Sequence, residues 1–172
     1  AIVNYTPPTA TDNVDAPAPA VCTPAPGSQF PIGTTPITCN KTDVAGNLAT
    51  STSFNVIVQD TTAPVVQVTS PNGGEHFTAG QSVPITWTAT DAVGFPADAV
   101  DLYYSLDGGA TYPNIIATGI ANSGSYSWTT PSVNNDTVKV KVVANDLTTL
   151  SNIDESNGNF TIDNALPNST IS

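Results

Sequence analysis

Apolar and polar residues alternate along most of this chain. In SVPITWTAT, Val83, Ile85, Trp87 and Ala89 fall on one face, and Ser82, Pro84, Thr86, Thr88 and Thr90 on the other. In TVKVKVVAN, Val138, Val140, Val142 and Ala144 point one way, with Lys139 and Lys141 opposite. SFNVIVQ places Phe54, Val56 and Val58 against Asn55 and Gln59, with Ile57 out of pattern. A period of two is that of a half-buried antiparallel strand. No window carries a helical stripe. Fifteen prolines and twelve glycines break the strands at short intervals, the punctuation of an all-β sandwich.

The strands sort into two groups. Those predicted near 65–70, 82–90, 100–105, 114–120, 124–129, 137–145 and 158–163 fill about 100 residues, the size of an immunoglobulin-like sandwich. Residues 1–60 offer fewer, near 1–6, 20–23, 34–40 and 51–59, with a short one near 28–30. The fold class read from this is all-β: two tandem immunoglobulin-like β-sandwiches, the first lacking its N-terminal strand. The domains are 1–60, a linker 61–64, a second sandwich 65–163 and a C-terminal segment 164–172.

Charge narrows the functions. The chain has 172 residues and a formal net charge of −11, with three Lys or Arg in all. Binding to phosphate backbones needs clustered basic residues, so nucleic acid is excluded as a partner. Docking on anionic lipid is excluded for the same reason. No apolar run approaches the roughly 20 residues of a membrane helix, so no direct membrane insertion is expected. No signal peptide opens the chain, which suits a mature form or an excised piece. Charged residues make up only 10%, and hydroxyls and amides carry the solubility instead. That balance suits an extracellular protein. The two cysteines, Cys22 and Cys39, lack further ligands for a zinc site, because the one histidine lies far away. A disulfide in an oxidising compartment is the expectation, two buried thiols the other reading.

Three stretches carry the resemblance of the first half: VNYTPPTATDNVD, VCTPAPGSQFPIGTTPITCNKTDVAGN and FNVIVQDTTAP. The paired cysteines, the turn from Gly27 to Thr35, and Asp43 with Gly46 and Asn47 fall in order. Together they resemble the hyalin-repeat (HYR) family of extracellular immunoglobulin-like modules. Members of that family carry a first strand ahead of the VNYTPP strand, and the resemblance implies that residues 1–64 lack it. The second half, with SPNGGEHFTAGQSVPITW, VDLYYSLDGGATY, GSYSWTTP and NFTID, resembles the immunoglobulin-like modules of wall-anchored Ser/Thr-rich surface proteins. Both resemblances imply adhesive, spacer or wall-assembly modules rather than enzymes.

Candidate chemistry is sparse. His76 beside Glu75 has no nucleophile elbow near it, so no catalytic residue is assigned. SLDGGATY, from Ser105 to Tyr112, resembles an Asp-box hairpin, a structural motif. Trp87 reads as core. Tyr126 and Trp128 share a face, which favours packing over a sugar-stacking platform. No cofactor is required. Calcium is the cation that Asp12, Asp15, Asp43 and Asp60 would hold, with a further acidic stretch at Asp146, Asp154 and Glu155. Plain turn chemistry is the alternative for all of them. Sequons place possible glycosylation at Asn4, Asn40, Asn135, Asn159 and Asn168.

The functional expectation joins two features of the sequence. The first domain lacks a strand, and the chain ends with NFTIDNALPNSTIS, which parallels the inner NVIVQDTTAPVVQVTS. Asp60 matches Asp163 and Pro64 matches Pro167. The tail residues Leu166, Pro167, Asn168, Ser169, Thr170, Ile171 and Ser172 are therefore a candidate donor strand for the next copy. The expected protein is a structural subunit of an extracellular surface filament or array, non-enzymatic, with copies of itself as head-to-tail partners. The alternative is an adhesive or carbohydrate-binding module of a larger secreted protein, with surface glycans as partners.

Overall fold

The computed structural model describes residues 1–164. These residues are all strand, turn and loop, and form two compact units that divide between Asp60 and Thr61. The donor-strand residues 166–172 lie outside the described part.

The first unit contains β1 (Thr9–Ala10), β2 (Ala18–Pro19), β3 (Val21–Thr23), β4 (Gly33–Asn40) and β5 (Thr52–Val58). β1 and β2 make a small ribbon, and β3, β4 and β5 an antiparallel sheet in that order. Alternation sends Ile37, Cys39 and Val56 inward and leaves Ile57 64% exposed, so the residue that broke the pattern is the one on the solvent face. The core is small: Cys22, Phe30, Ile37, Cys39 and Val56, with Val3, Tyr5, Ala20, Phe54 and Val58 packed around it half-buried. Tyr5 meets Phe54 edge-on, centroids 5.1 Å apart, and its hydroxyl donates to the Pro24 carbonyl.

The strand expected near 1–6 is reduced to one bridge, Ile2 to Gln29, and the one near 28–30 to the same bridge. The segment facing it explains this. Pro24 and Pro26 lack an N–H, and Gly27 turns the chain at φ 79°. Ala1 N donates to Phe30 O and Phe30 N to Ala1 O, Val3 N donates to Ser28 O and Gly27 N to Val3 O, and past Gly27 the prolines offer no N–H to carry the ladder on.

The second unit contains β6 (Val65–Ser70), β7 (His76–Thr78), β8 (Ser82–Thr90), β9 (Val100–Ser105), β10 (Asn114–Ile120), β11 (Ser125–Thr129), β12 (Asn135–Asn145), β13 (Ser151–Glu155) and β14 (Phe160–Asp163). One sheet runs β10-β9-β12-β14-β7, with β13 also on β12; the other runs β11-β8-β6. Between them lie Val68, Ile85, Trp87, Leu102, Trp128, Val138, Val140, Val142, Phe160 and Ile162, nearly all with no more than a few per cent exposed. Trp128 packs on Tyr104 at 5.3 Å and on Phe160 at 6.4 Å. The indole N–H of Trp87 donates to Asn122 Oδ1 at 2.9 Å, so its polar atom is satisfied at the edge of the core.

β12 organises this unit. It pairs β9 along one side, and on the other it pairs first β14 and then β13. The change of partner falls at Val140, where Ser156 fills the gap. Ser156 N donates to Val140 O, and its hydroxyl accepts from Val140 N and donates to Pro71 O. The SPNGG stretch then passes so close to residues 157–159 that a Cβ on Gly73 would stand 2.7 Å from Gly158 Cα. Gly73 also has a φ of 126°, so glycine is required twice over.

The cystine links Cys22 and Cys39, directly opposed across β3 and β4. Closing a loop of this size stabilises by about 3 kcal/mol in the chain-entropy model. That equals the burial of one or two large apolar side chains. Against the few fully buried side chains of the first unit it is a major share; in the second unit it would be minor. Replacing both cysteines with alanine should therefore lower the stability of the first unit by about 2–4 kcal/mol and leave the second unchanged. Amide hydrogen exchange, read unit by unit, checks this. Equal loss of protection in both units, or none in the first, would contradict it.

Candidate functional site

Two features of the first unit stand out as places where something could bind. The first is a groove between the 10–18 loop and the 41–49 hairpin, a cavity of about 510 Å³. Asp12, Asp15 and Asp43 line it, together with Lys41 and the exposed side chains of Val44 and Leu48. Local turn chemistry builds both walls. Asp12 Oδ1 accepts from Val14 N at 2.8 Å and Asp15 N at 3.0 Å. Asp43 accepts from Asn47 N at 2.7 Å and from Asn47 Nδ2 at 2.8 Å. Asp15 Oδ2 accepts from Val44 N at 3.0 Å and so ties one wall to the other. These bonds hold Asp12 and Asp43 below the ordinary carboxylate range: Asp12 through the Asp15 and Val14 amides, Asp43 through the Asn47 side chain and then its amide. Both are fully charged near neutrality.

The second feature is an open sheet edge. β5 pairs with β4 on one side, and among the described residues no strand pairs with its other side. Half-buried Phe54 and Val58 lie on this strand. In the second unit the corresponding final strand, β14, is covered by β7 in parallel, and β8 is covered by β6.

The sequence candidates divide as follows. Asp12, Asp15 and Asp43 come together around the groove, but they do not bring three ligand oxygens within 4.8 Å of one another. Asp60 is the last residue of the first unit and is not part of the groove lining. In the second unit Asp146 is 2% exposed and caps its own turn, accepting from Thr148 N and Leu150 N. Asp154 accepts from Val68 N at 2.7 Å, and Glu155 lies beside the Tyr112 phenol. Glu75 binds the Asn72 and Gly73 amides, and His76 stands exposed on β7. Trp128 is 6% exposed and Tyr126 packs half-buried against the core, so this pair makes no open platform. Of the sequons, Asn4, Asn40 and Asn159 are exposed. Asn135 is held, its Nδ2 donating to Leu106 O at 3.0 Å and its Oδ1 accepting from Thr137 N. Asn168 lies outside the described residues.

The Asp-box expectation holds in detail. Asp107 accepts from Ser105 Oγ at 2.5 Å, Thr111 N at 2.9 Å and Thr111 Oγ1 at 2.6 Å. Sequence reasoning missed what this hairpin carries. Lys141 Nζ sits 4.5 Å from the ring centre of Tyr112 and 5.2 Å from that of Tyr103. Lys141 opposes Tyr103 on β9 and Glu155 on β13. The outward position of Lys141 was readable; its two ring partners were not, because they arrive from another strand and from a loop. Burial, and then the Glu155 carboxylate, push the Tyr112 phenol well above its usual value.

Residues 1–58 match the HYR domain, and residues 64–142 match a bacterial Ig domain. The HYR portion is similar to hyalin of Lytechinus variegatus, 44% identical over 72 residues, which is 41% of this chain and 14% of that protein. It is also similar to hyalin of Strongylocentrotus purpuratus, 43% identical over 81 residues, 46% of this chain and 7% of that one. The chain thus spans a small fraction of these relatives. Among solved structures, fibronectin(III)-like modules of Clostridium thermocellum CbhA align over 81% of this chain and 66% of theirs, at a TM-score of 0.50 and 18% identity. That similarity supports the sandwich fold and nothing further. The HYR and Ig matches fall on the two structural units in order, and the paired cysteines lie inside the first.

The hydrogen bonds from Ser105 and then Thr111 hold Asp107 at about 2, against an ordinary value of 3.8. A carboxyl depressed in this way contributes stability above its unfolded pKa and loses it as pH falls through the folded value. The stabilisation of the hairpin should thus be full well above pH 3.8, decline as pH falls below that value and be lost below about 2. Carboxyl-carbon titration by NMR checks this, and a midpoint at or above 3.8 for Asp107 would contradict it.

Proposed function

We propose that this chain belongs to a non-enzymatic structural protein on the outside of a cell, adhesive in type, whose first unit is completed by a strand from a neighbouring copy. The HYR match, the similarity to hyalin and the cystine support the extracellular, adhesion-type part of this reading. Both matched families are immunoglobulin-like modules of a non-enzymatic type, which supports a mechanical role.

The observation that carries strand donation is the contrast between the two units. In the second, β6 covers β8 and β7 covers β14. In the first, the outer side of β5 has no such partner among the described residues, and the segment from Ala1 to Val3 pairs only with residues 27–30. An uncovered strand exposes a row of backbone donors and acceptors and part of the core beside it. Here that core includes Val3, Tyr5, Phe54 and Val58. A strand added at such an edge meets both needs at once, as in donor-strand complementation. The C-terminal segment is the proposed donor because its sequence parallels Pro64–Ser70, the stretch that leads into and forms β6. Pro167 would begin the strand, where its missing N–H is harmless. Ile171 would turn into the core. Such a head-to-tail contact is heterologous, and where its rotation does not close into a ring it builds a filament.

Sedimentation of the full chain should show oligomers that lengthen with concentration. Deleting residues 164–172 should leave monomers whose first unit exchanges its amides faster. Adding a synthetic peptide of those residues should restore protection in β5 and Ala1–Tyr5. A deleted chain that still assembles, or a first unit equally protected with and without the segment, would refute strand donation. So would a native polypeptide in which a segment ahead of Ala1 fills the same position.

A further inference from the structure

We infer that the acid-lined groove of the first unit is a docking site for a basic, partly apolar segment of another protein. This interaction is separate from strand donation and uses different residues. Three aspartates and one lysine face the cavity, so its field is negative. Asp12 and Asp43 sense one another: the Asp12 charge acts to raise the Asp43 carboxyl, and the turn amides outweigh it. Like charges on opposite walls of a concave site focus a potential that draws a cation.

The apolar part is as specific. Val44 is 91% exposed and Leu48 69% exposed, and Ala16 and Ala18 line the facing wall. Two large aliphatic side chains presented on a turn fixed by Asp43 and Asn47 are displayed, not folded away. The Thr42–Leu48 bridge and the Ala49 N to Lys41 O bond fix the hairpin further. A wall already ordered costs little to bind against. The cavity of about 510 Å³ falls in the usual range for ligand sites and can take one or two side chains.

The occupant follows from charge. A bare metal ion is poorly served, because the three carboxylates gather no three oxygens within 4.8 Å. A second copy of this chain is disfavoured, since it carries −11 and only three basic residues. A lysine or arginine side chain flanked by aliphatic residues meets both the carboxylates and the Val44–Leu48 surface.

The probe is a capped hexapeptide with two lysines and one leucine in an alanine background, titrated into the full chain and followed by amide NMR shifts. Binding should be weak, with Kd on the order of 0.1–1 mM. The shifts should be confined to residues 10–18 and 41–49 and should vanish at about 1 M salt, where the Debye length is about 3 Å. Asp12→Asn with Asp15→Asn keeps a carbonyl oxygen for the turn amides and should weaken binding at least fivefold. Val44→Thr with Leu48→Thr, at exposed positions, should weaken it about threefold, as expected for losing part of an apolar contact. Asp98→Asn with Asp136→Asn, outside the groove, should change nothing. The inference is overturned by shifts spread over both units, by equal binding of a peptide with glutamates in place of the lysines, or by groove variants that bind as well as the parent. It is equally overturned if calcium occupies these residues more tightly than the peptide and displaces it.

Discussion

Every β-strand carries two rows of backbone donors and acceptors, and each row must be met by a neighbouring strand, a side chain or water. That constraint governs this protein more than any single side chain does. The second unit meets it in three ways. β12 takes β9 on one side and two successive strands on the other. β7 covers β14. Where no strand is available, side chains stand in: Asp154 accepts from Val68 N on the outer side of β6, and Asn152 Nδ2 donates to Pro64 O. The free side of β10 is interrupted by register shifts near Ile115 and Ala117, which spoil it as a template for further pairing.

The first unit has few of these devices. Among the described residues its sheet ends at β5, and its first residues pair only with the short 27–30 segment. With so little apolar burial, the cystine matters more here, because it fixes β3 against β4 whether or not the edge beyond β5 is filled. Covalent closure and an added strand act on different parts of the problem. The first limits the unfolded chain. The second, as proposed, would satisfy the folded backbone and cover Phe54 and Val58.

Much of this was legible in the alternation of side chains. β6, β8, β9 and β10 fall on the residues that the pattern indicates, and the inward faces of β8 and β12 are buried as read. The missed strands share a cause. β7 and β13 are short, and β13 has the buried pattern of neither face: Ser151, Asn152 and Ile153 are exposed, while Asp154 and Glu155 are half-buried. Its place is set by partners on β12 and β6, which sequence alternation cannot reveal. β1 and β2 are two residues each, shorter than any periodicity can register. The acidic groove was only half legible. In the sequence Asp12, Asp15, Asp43 and Asp60 read together as candidate calcium ligands, with plain turn chemistry as the alternative, and the bonds of the first three to nearby amides fit that alternative. The part that could not be read is the exposure of Val44 and Leu48 beside them, which depends on a turn geometry that no alternation encodes.

The acidity of the chain takes a different meaning once each carboxylate has a place. A net charge of −11 suggests cation binding or simple solubility. Yet Asp12, Asp43, Glu75, Asp91, Asp107, Asp146 and Asp154 each accept from backbone N–H groups in turns or at strand edges. Many of the acids therefore serve as caps for a backbone that strands alone leave unsatisfied. Carboxylates are suited to this, since a charged acceptor makes a stronger bond to an amide than a neutral one does. The chain has little basic charge to neutralise them, so the negative field is a by-product of building turns. Evolution of a binding surface on such a scaffold starts from an existing potential. Where a turn also exposes aliphatic side chains, as at Val44 and Leu48, the field acquires the apolar contact that makes attraction selective.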